Sequence, residues 1–198
     1  MRAVTHTLPA EERDGFRFRG GHNAIDLPAT LQARLKPTPR ELLKTPQDLA
    51  RWLLAAGLAS GPLEANESDL ALARSLREAI YTLANAKLPG GPDPSDALTV
   101  LNAVAAEPSA TPQLTAQGTM RLVGPASALL ATLARDAVRM FGGEAADHIR
   151  QCQSPTCTLF FVDTSRSGDR RWCSMSGCGN KAKVADFRRR RREAKAKG

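Results

Sequence analysis

Apolar residues along the chain recur at helical spacing in four stretches separated by turn residues. Leu49, Trp52, Leu53 and Ala56 fall at i, i+3, i+4 and i+7, which predicts a helix with one buried face. Its start is marked by Thr45 as a cap, Pro46 in the first turn and Asp48 three residues after the cap, and its end by Gly57. A second helix is predicted over 67–86 with Leu72, Leu76, Ile80 and Leu83 as its stripe, closed by Leu88-Pro89-Gly90-Gly91-Pro92. A third starts at Asp93-Pro94-Ser95-Asp96 and buries Leu98, Leu101 and Val104, with Pro108 and Pro112 closing the segment. A fourth runs over about 125–141 with Leu129, Leu133 and Met140 in the core, and stops at Gly142-Gly143.

Period-2 patterns are fewer. Phe16-Arg17-Phe18-Arg19 alternates apolar and basic residues and reads as a strand with one buried face, followed by a turn or bulge at Gly20-Gly21, and residues up to about 30 read as extended. Residues 113–123 alternate around Gln117-Gly118 and predict a small hairpin carrying Leu114, Ala116, Met120 and Leu122. Residues 1–145 therefore form an α+β domain, mostly helical with a small antiparallel sheet. Its core is expected to hold without help from the rest of the chain.

The pattern changes after Gly143. The chain's four cysteines are Cys152, Cys157, Cys173 and Cys178, two C-x4-C pairs separated by fifteen residues. Two close pairs across a hairpin-sized gap present four thiolates to one tetrahedral zinc, and a segment with so little apolar material would draw its folding energy from the metal. Two disulfides are the alternative. They require an oxidising compartment. The N-terminal residues show no apolar leader, and the longest strongly apolar run, 52–59, is too short to span a bilayer, so a cytoplasmic protein without membrane contact is expected. A catalytic thiol fits poorly, because a nucleophile stands as one Cys near a His rather than as four in pairs.

The order of elements around the cysteines is that of a treble-clef finger over 146–198. A Pro-containing knuckle spans Cys152–Cys157, a strand follows over 158–163, and residues 165–169 turn. A returning strand, 170–172, delivers Cys173, and a helix carries Cys178 in its first turn. Val184 and Phe187 are expected to pack on the hairpin near Trp172. Of the adjacent Phe160 and Phe161, one is expected to face outward. His148, four residues before Cys152, could substitute as a ligand. His6 falls in a tail.

Charge divides the chain the same way. Residues 1–149 hold 15 Lys/Arg and 16 Asp/Glu, a net −1, whereas residues 150–198 hold 13 and 4, a net +9. Such asymmetry points the C-terminal part at nucleic acid or a membrane surface. Arg166, Arg170 and Arg171 lie on the hairpin, and Lys181, Lys183, Arg188, Arg189 and Arg192 on the helix. Lys181, Arg188 and Arg192 share a narrow arc at helical spacing. Mutual repulsion among Arg188–Arg192 predicts loss of order from about Arg189.

The segments Phe160-Phe161-Val162-Asp163-Thr164-Ser165-Arg166, Arg171-Trp172-Cys173-Ser174-Met175 and Cys178-Gly179-Asn180-Lys181 resemble the CGNR-type zinc finger of bacterial proteins. In that family the finger follows a domain named ABATE, whose opening motif is similar to Gly20-Gly21, Asn23-Ala24-Ile25-Asp26-Leu27 and Thr30 here. The resemblance implies a stress-induced transcription regulator with one structural zinc. Lys181 stands where the finger's name has arginine, which keeps the charge and loses bidentate pairing.

Three functions follow. One is a DNA-binding regulator whose N-terminal domain senses a ligand or forms a homodimer. Another is an RNA- or ribosome-associated zinc protein. The last, a zinc enzyme, is disfavoured because four cysteines close the metal shell and neither H-E-x-x-H nor a deaminase signature is present. His22, Asn23 and Asp26 beside the Gly pair are candidates for a small-molecule pocket rim. The alternative for Asn23 and Asp26 is that they satisfy backbone groups in a turn.

Overall fold

The computed structural model describes residues 11–196. His6 lies outside the described residues. Two short strands, β1 (Glu12–Arg13) and β2 (Phe16–Arg17), open the fold as an antiparallel hairpin. Its turn residues Asp14 and Gly15 both have positive φ, 48° and 78°, as a two-residue primed turn requires. Phe16 and Phe18 are buried as the alternation predicted, and Phe18 stacks on Trp52 with ring centroids 6.1 Å apart.

Residues after the Gly pair differ from the extended reading. They form a short helix α1 (Asn23–Asp26) that runs into a 3-10 turn, Leu27–Thr30. The reason is local: Asp26 folds back so that its Oδ1 accepts from the amides of Arg19 and Gly20, at 2.8 and 2.7 Å. Only glycine fits at 20, where a Cβ would stand 2.0 Å from Cγ2 of Ile25. A second small hairpin, β3 (Leu31–Gln32) with β4 (Arg40–Glu41), leads to the helices.

The helical layer follows the sequence pattern closely. α2 (Pro46–Ala55) opens with a reciprocal capping box between Thr45 and Asp48 and stops before Gly57, at φ 71°. Leu49, Trp52, Leu53 and Ala56 are all buried. α3 (Glu67–Ala86) has a second capping box, Asn66 with Asp69. Leu76, Ile80 and Leu83 are buried with Leu70 and Ala73, and Leu72 sits at the margin. α4 (Ser95–Ala106) buries Ala97, Leu101 and Val104. Leu98 is 43 % exposed instead of buried, because it lies about 100° round the helix from Ala97. α5 (Ala126–Gly142) packs against α1 to α4 and buries Leu129, Leu133 and Met140 as expected. Between α4 and α5 stands the expected hairpin, β5 (Thr111–Leu114) with β6 (Met120–Val123). It projects from the core, with Leu114 78 % and Met120 69 % exposed.

The cysteine segment begins with β7 (Ile149–Gln151), which pairs with β8 (Phe160–Val162) across the knuckle. Residues 170–172, read as a returning strand, are not one. The outer edge of β8 is already occupied: the amide of Val162 donates to the carbonyl of Gly20 at 2.8 Å. The segment instead crosses beside the knuckle, where Arg171 O accepts from Gln153 N at 2.9 Å.

Both faces of β8 are covered, which corrects the expectation that Phe160 or Phe161 faces out. Phe160 enters the main core with Ile149 and Val162 and meets Tyr81 edge-on at 5.6 Å. Phe161, fully buried, faces Cys152, Cys173 and Cys178. The main core therefore extends past residue 145 into the cysteine segment.

The last helix, α6 (Asn180–Ala196), follows a single π turn, Met175–Gly179. It continues well beyond Arg189, where order was expected to end. Val184 and Phe187 do not dock on the hairpin: they are 48 % and 58 % exposed. Trp172 packs instead at the helix start, where a Cβ on Gly179 would stand 3.3 Å from its ring and 2.9 Å from the sulfur of Met175.

Candidate metal centre and basic surface

The sulfurs of Cys152, Cys157, Cys173 and Cys178 all lie within 4.8 Å of one another, and no disulfide joins them. Cys157 Sγ stands 3.8 Å from Cys173 Sγ, and Cys173 Sγ 3.7 Å from Cys178 Sγ. Thiolates bound at about 2.3 Å to a tetrahedral zinc are separated by about 3.8 Å, so the four sulfurs fit one structural zinc. His148 is not in the cluster; its carbonyl accepts from Asp163 N at 2.8 Å. Without a cation the thiols cannot ionise together. A hydrogen bond from Cys157 holds Cys152 toward thiolate, while their hydrogen bonds with Cys152 push Cys157 and Cys173 up. A bound zinc would take the place of those shared protons, held by the four cysteines as thiolates.

Each ligand is fixed by its own local device. Cys152 N donates to Leu159 O and Cys157 N to Ser154 O, both at 2.9 Å, closing the knuckle. Cys178 lies inside the π turn, which Ser174 caps by accepting from Gly177 N at 3.2 Å and from Gly179 N through its carbonyl at 2.9 Å. Cys173 is anchored by Arg170, whose Nη2 donates to Cys173 O at 2.5 Å and to Arg19 O at 3.1 Å, while Nε donates to Trp172 O at 2.9 Å. Its guanidinium also lies 4.3 Å from the Phe161 ring centroid. Arg170, expected to contact nucleic acid, is thus engaged inside the fold.

The N-terminal hairpin reaches the same turn, which the sequence did not indicate. Glu11 Oε2 accepts from Ser174 Oγ at 2.6 Å and Ser176 Oγ at 2.9 Å, and these serines hold its carboxyl below the usual range. Arg19 lies over the turn, with its Nη1 3.0 Å from where a Cβ of Gly177 would stand. The FRFR alternation gave Arg17 and Arg19 as outward-facing. No local signal named a contact more than 150 residues away.

The other basic candidates are exposed. Arg166 sits on the 165–168 turn, and Arg171 donates to Gln153 Oε1 at 2.7 Å. Over 181–194, α6 is exposed at every position except the half-covered Ala182. Lys181, Arg188 and Arg192 lie within about 40° of one another on the helix, with Val184, Ala185 and Arg191 flanking them. Asp186 and Glu193 fall about 80° or more beyond that arc. They pair with Arg189, at 3.0 and 3.9 Å, and leave the arc itself cationic. Lys183 is on the far side.

The residues considered for a pocket rim are used within the fold. His22 caps α1 and its Nε2 is 3.4 Å from Asp136. Asn23 Nδ2 donates to Ala56 O at 3.0 Å. Asp26, 3 % exposed, holds the Gly20 turn.

Residues 21–144 match the family model ABATE, described as "putative stress-induced transcription regulator", and residues 148–191 match the CGNR zinc finger. No curated protein matches the chain. Among the described residues no helix is long and apolar enough to cross a membrane.

Proposed function

The chain belongs to the ABATE family and carries a CGNR zinc finger, and from that premise we propose that it is a regulator that binds duplex DNA through its finger and α6. One observation carries this reading. The turn that carries Cys178 launches a helix that is exposed at every position over 183–194 and keeps an arc free of acidic side chains. Such an exposed helix has the dimensions to enter a major groove, with Lys and Arg for phosphates and base edges. Duplex DNA is favoured over RNA because Phe160 and Phe161 are buried and offer no stacking platform. The chain acts by binding rather than catalysis, since four cysteines leave zinc no open position.

The N-terminal domain acts as the regulatory part in this reading. It touches the finger through β8, Gly20 and Glu11, so a ligand or self-association that shifts those contacts changes how α6 is held. The exposed Leu114 and Met120 on the β5–β6 hairpin supply apolar surface for a homodimer.

The test is duplex-DNA affinity against salt. With about five phosphates neutralised, the log–log slope is near −4.5. A chain that binds RNA and not duplex DNA reverses the choice of polymer. A chain that binds neither at low salt refutes the proposal.

A further inference from the structure

A cleft of about 100 Å³ opens where the knuckle meets the N-terminal hairpin. Arg17 and Arg19 form one wall, Ser154, Thr156 and Thr158 line the knuckle side, and Lys181 enters from the first turn of α6. The cleft borders the metal centre, since Cys157, Cys173 and Cys178 also line it, and no carboxylate is among its lining residues. Among the described residues neither Arg17 nor Lys181 forms an ion pair. Arg19 Nε is buried without a hydrogen-bond partner, and its nearest carboxylate, Glu11 at 3.5 Å, already accepts from two serines.

Two explanations compete for this charge. Four thiolates and one zinc carry a net −2, and nearby cations offset it. Glu11 offsets Arg19 and Arg170 stands behind Cys173, which leaves Arg17 and Lys181 as the cations of the cleft with no carboxylate partner among the described residues. The surplus has a direction. Lys181 also lines the open groove beside α6 with Val184 and Arg188. The cleft and the cationic arc of α6 are therefore one continuous surface, extending about 10 Å along the helix from Lys181 to Arg188.

We propose that this cleft binds a backbone phosphate of the nucleic acid that α6 contacts, so that the N-terminal hairpin contributes Arg17 and Arg19 to the interface. The proposal rests on the DNA-binding reading above. It gives a domain of net charge −1 a specific basic edge, and it ties the clamp to the geometry of the Arg19–Glu11–Ser174 contact. The forked guanidinium of Arg19 supplies paired donors to a phosphate, Lys181 a point charge, and the knuckle hydroxyls further hydrogen bonds.

The experiment compares full-length zinc-loaded protein with Arg17→Gln, Arg19→Gln and Arg17→Lys on one duplex over a salt series, with zinc content and melting temperature measured alongside. Among the described residues the Arg17 side chain forms no hydrogen bond or ion pair, so Arg17→Gln is expected to leave zinc content and melting unchanged. Arg17→Gln and Arg19→Gln are each expected to make the salt slope shallower by about 0.9, and Arg17→Lys to preserve it. If both Gln variants keep the full slope while Arg188→Ala/Arg192→Ala flattens it, the cleft proposal fails and the α6 reading stands. If the wild-type chain binds no duplex at low salt, both fail.

Discussion

Removing zinc should destabilise the helical domain as well as the finger. β8 is the link. Chelation frees the knuckle and the π turn, and with them the clamp that holds β8 from one side through Phe161. On its other side β8 and its partner β7 place Ile149, Phe160 and Val162, 2 %, 2 % and 6 % exposed, in the main core. At about 1.5–3 kcal/mol for each buried apolar side chain, loss of the three removes on the order of 5–9 kcal/mol, an upper figure because some contact persists in the unfolded chain. That is comparable with the whole stability of an ordinary domain, about 5–15 kcal/mol. The two tryptophans allow a clean assay. Trp52 is fully buried in the helical domain and Trp172 stands on the finger. In a Trp172→Phe background, emission reports Trp52 alone. Urea unfolding with and without chelator should move the Trp52 midpoint down by about 2 M or more, taking a slope of roughly 2–3 kcal/mol per M. The far-UV helical signal should move with it. A Trp52 midpoint unchanged by chelation would show that the helical domain stands alone and would refute the shared-core argument.

Gly20→Ala should lower the melting temperature sharply, since overpacking costs about 1–3 kcal/mol and here the new methyl meets both Ile25 and the Asp26 carboxylate. Asp26 should make stability fall as pH rises. Burial pushes its folded pKa up to about 7 against an ordinary 3.8, so between those values the folded state holds a proton that the unfolded state has released, and folding weakens across that window. Asp26→Asn keeps an Oδ1 acceptor for the Arg19 and Gly20 amides, and denaturant midpoints from pH 4 to 8 should lose that component; an unchanged pH profile would contradict it. Arg188→Ala with Arg192→Ala should flatten the DNA salt slope by about 1.8, whereas Arg189→Ala, whose charge is already paired with Asp186 and Glu193, should change it less.

What could be read from the sequence was what is local. The cap at Thr45, the stop at Gly57, the stripes of α3 and α5 and the paired cysteines each announce themselves within a turn or two, and each stands in the structure. Leu98 was misread because α4 carries apolar residues on more than one face and periodicity alone does not choose between them. The larger departures all involve contacts distant in sequence. Nothing in 158–163 says that Phe160 will meet Tyr81 while Phe161 meets the cysteines, or that Gly20 will close the edge of β8 and displace the strand expected at 170–172. Arg170 looked like its exposed neighbours Arg166 and Arg171, and only the fold shows its guanidinium bonded to three backbone carbonyls. The turn chemistry of Asp26 was an open alternative in the sequence. Its burial shows only where α1 meets the finger strand.

The most direct test of the central claim, that zinc organises a turn from which α6 meets DNA, is selection of bound sequences from a random duplex library by the full-length protein with and without chelator. The zinc-loaded chain should enrich a defined set of sequences, and the chelated chain, left with only its basic residues, should bind without preference. Equal enrichment without zinc, or none with it, would contradict the account.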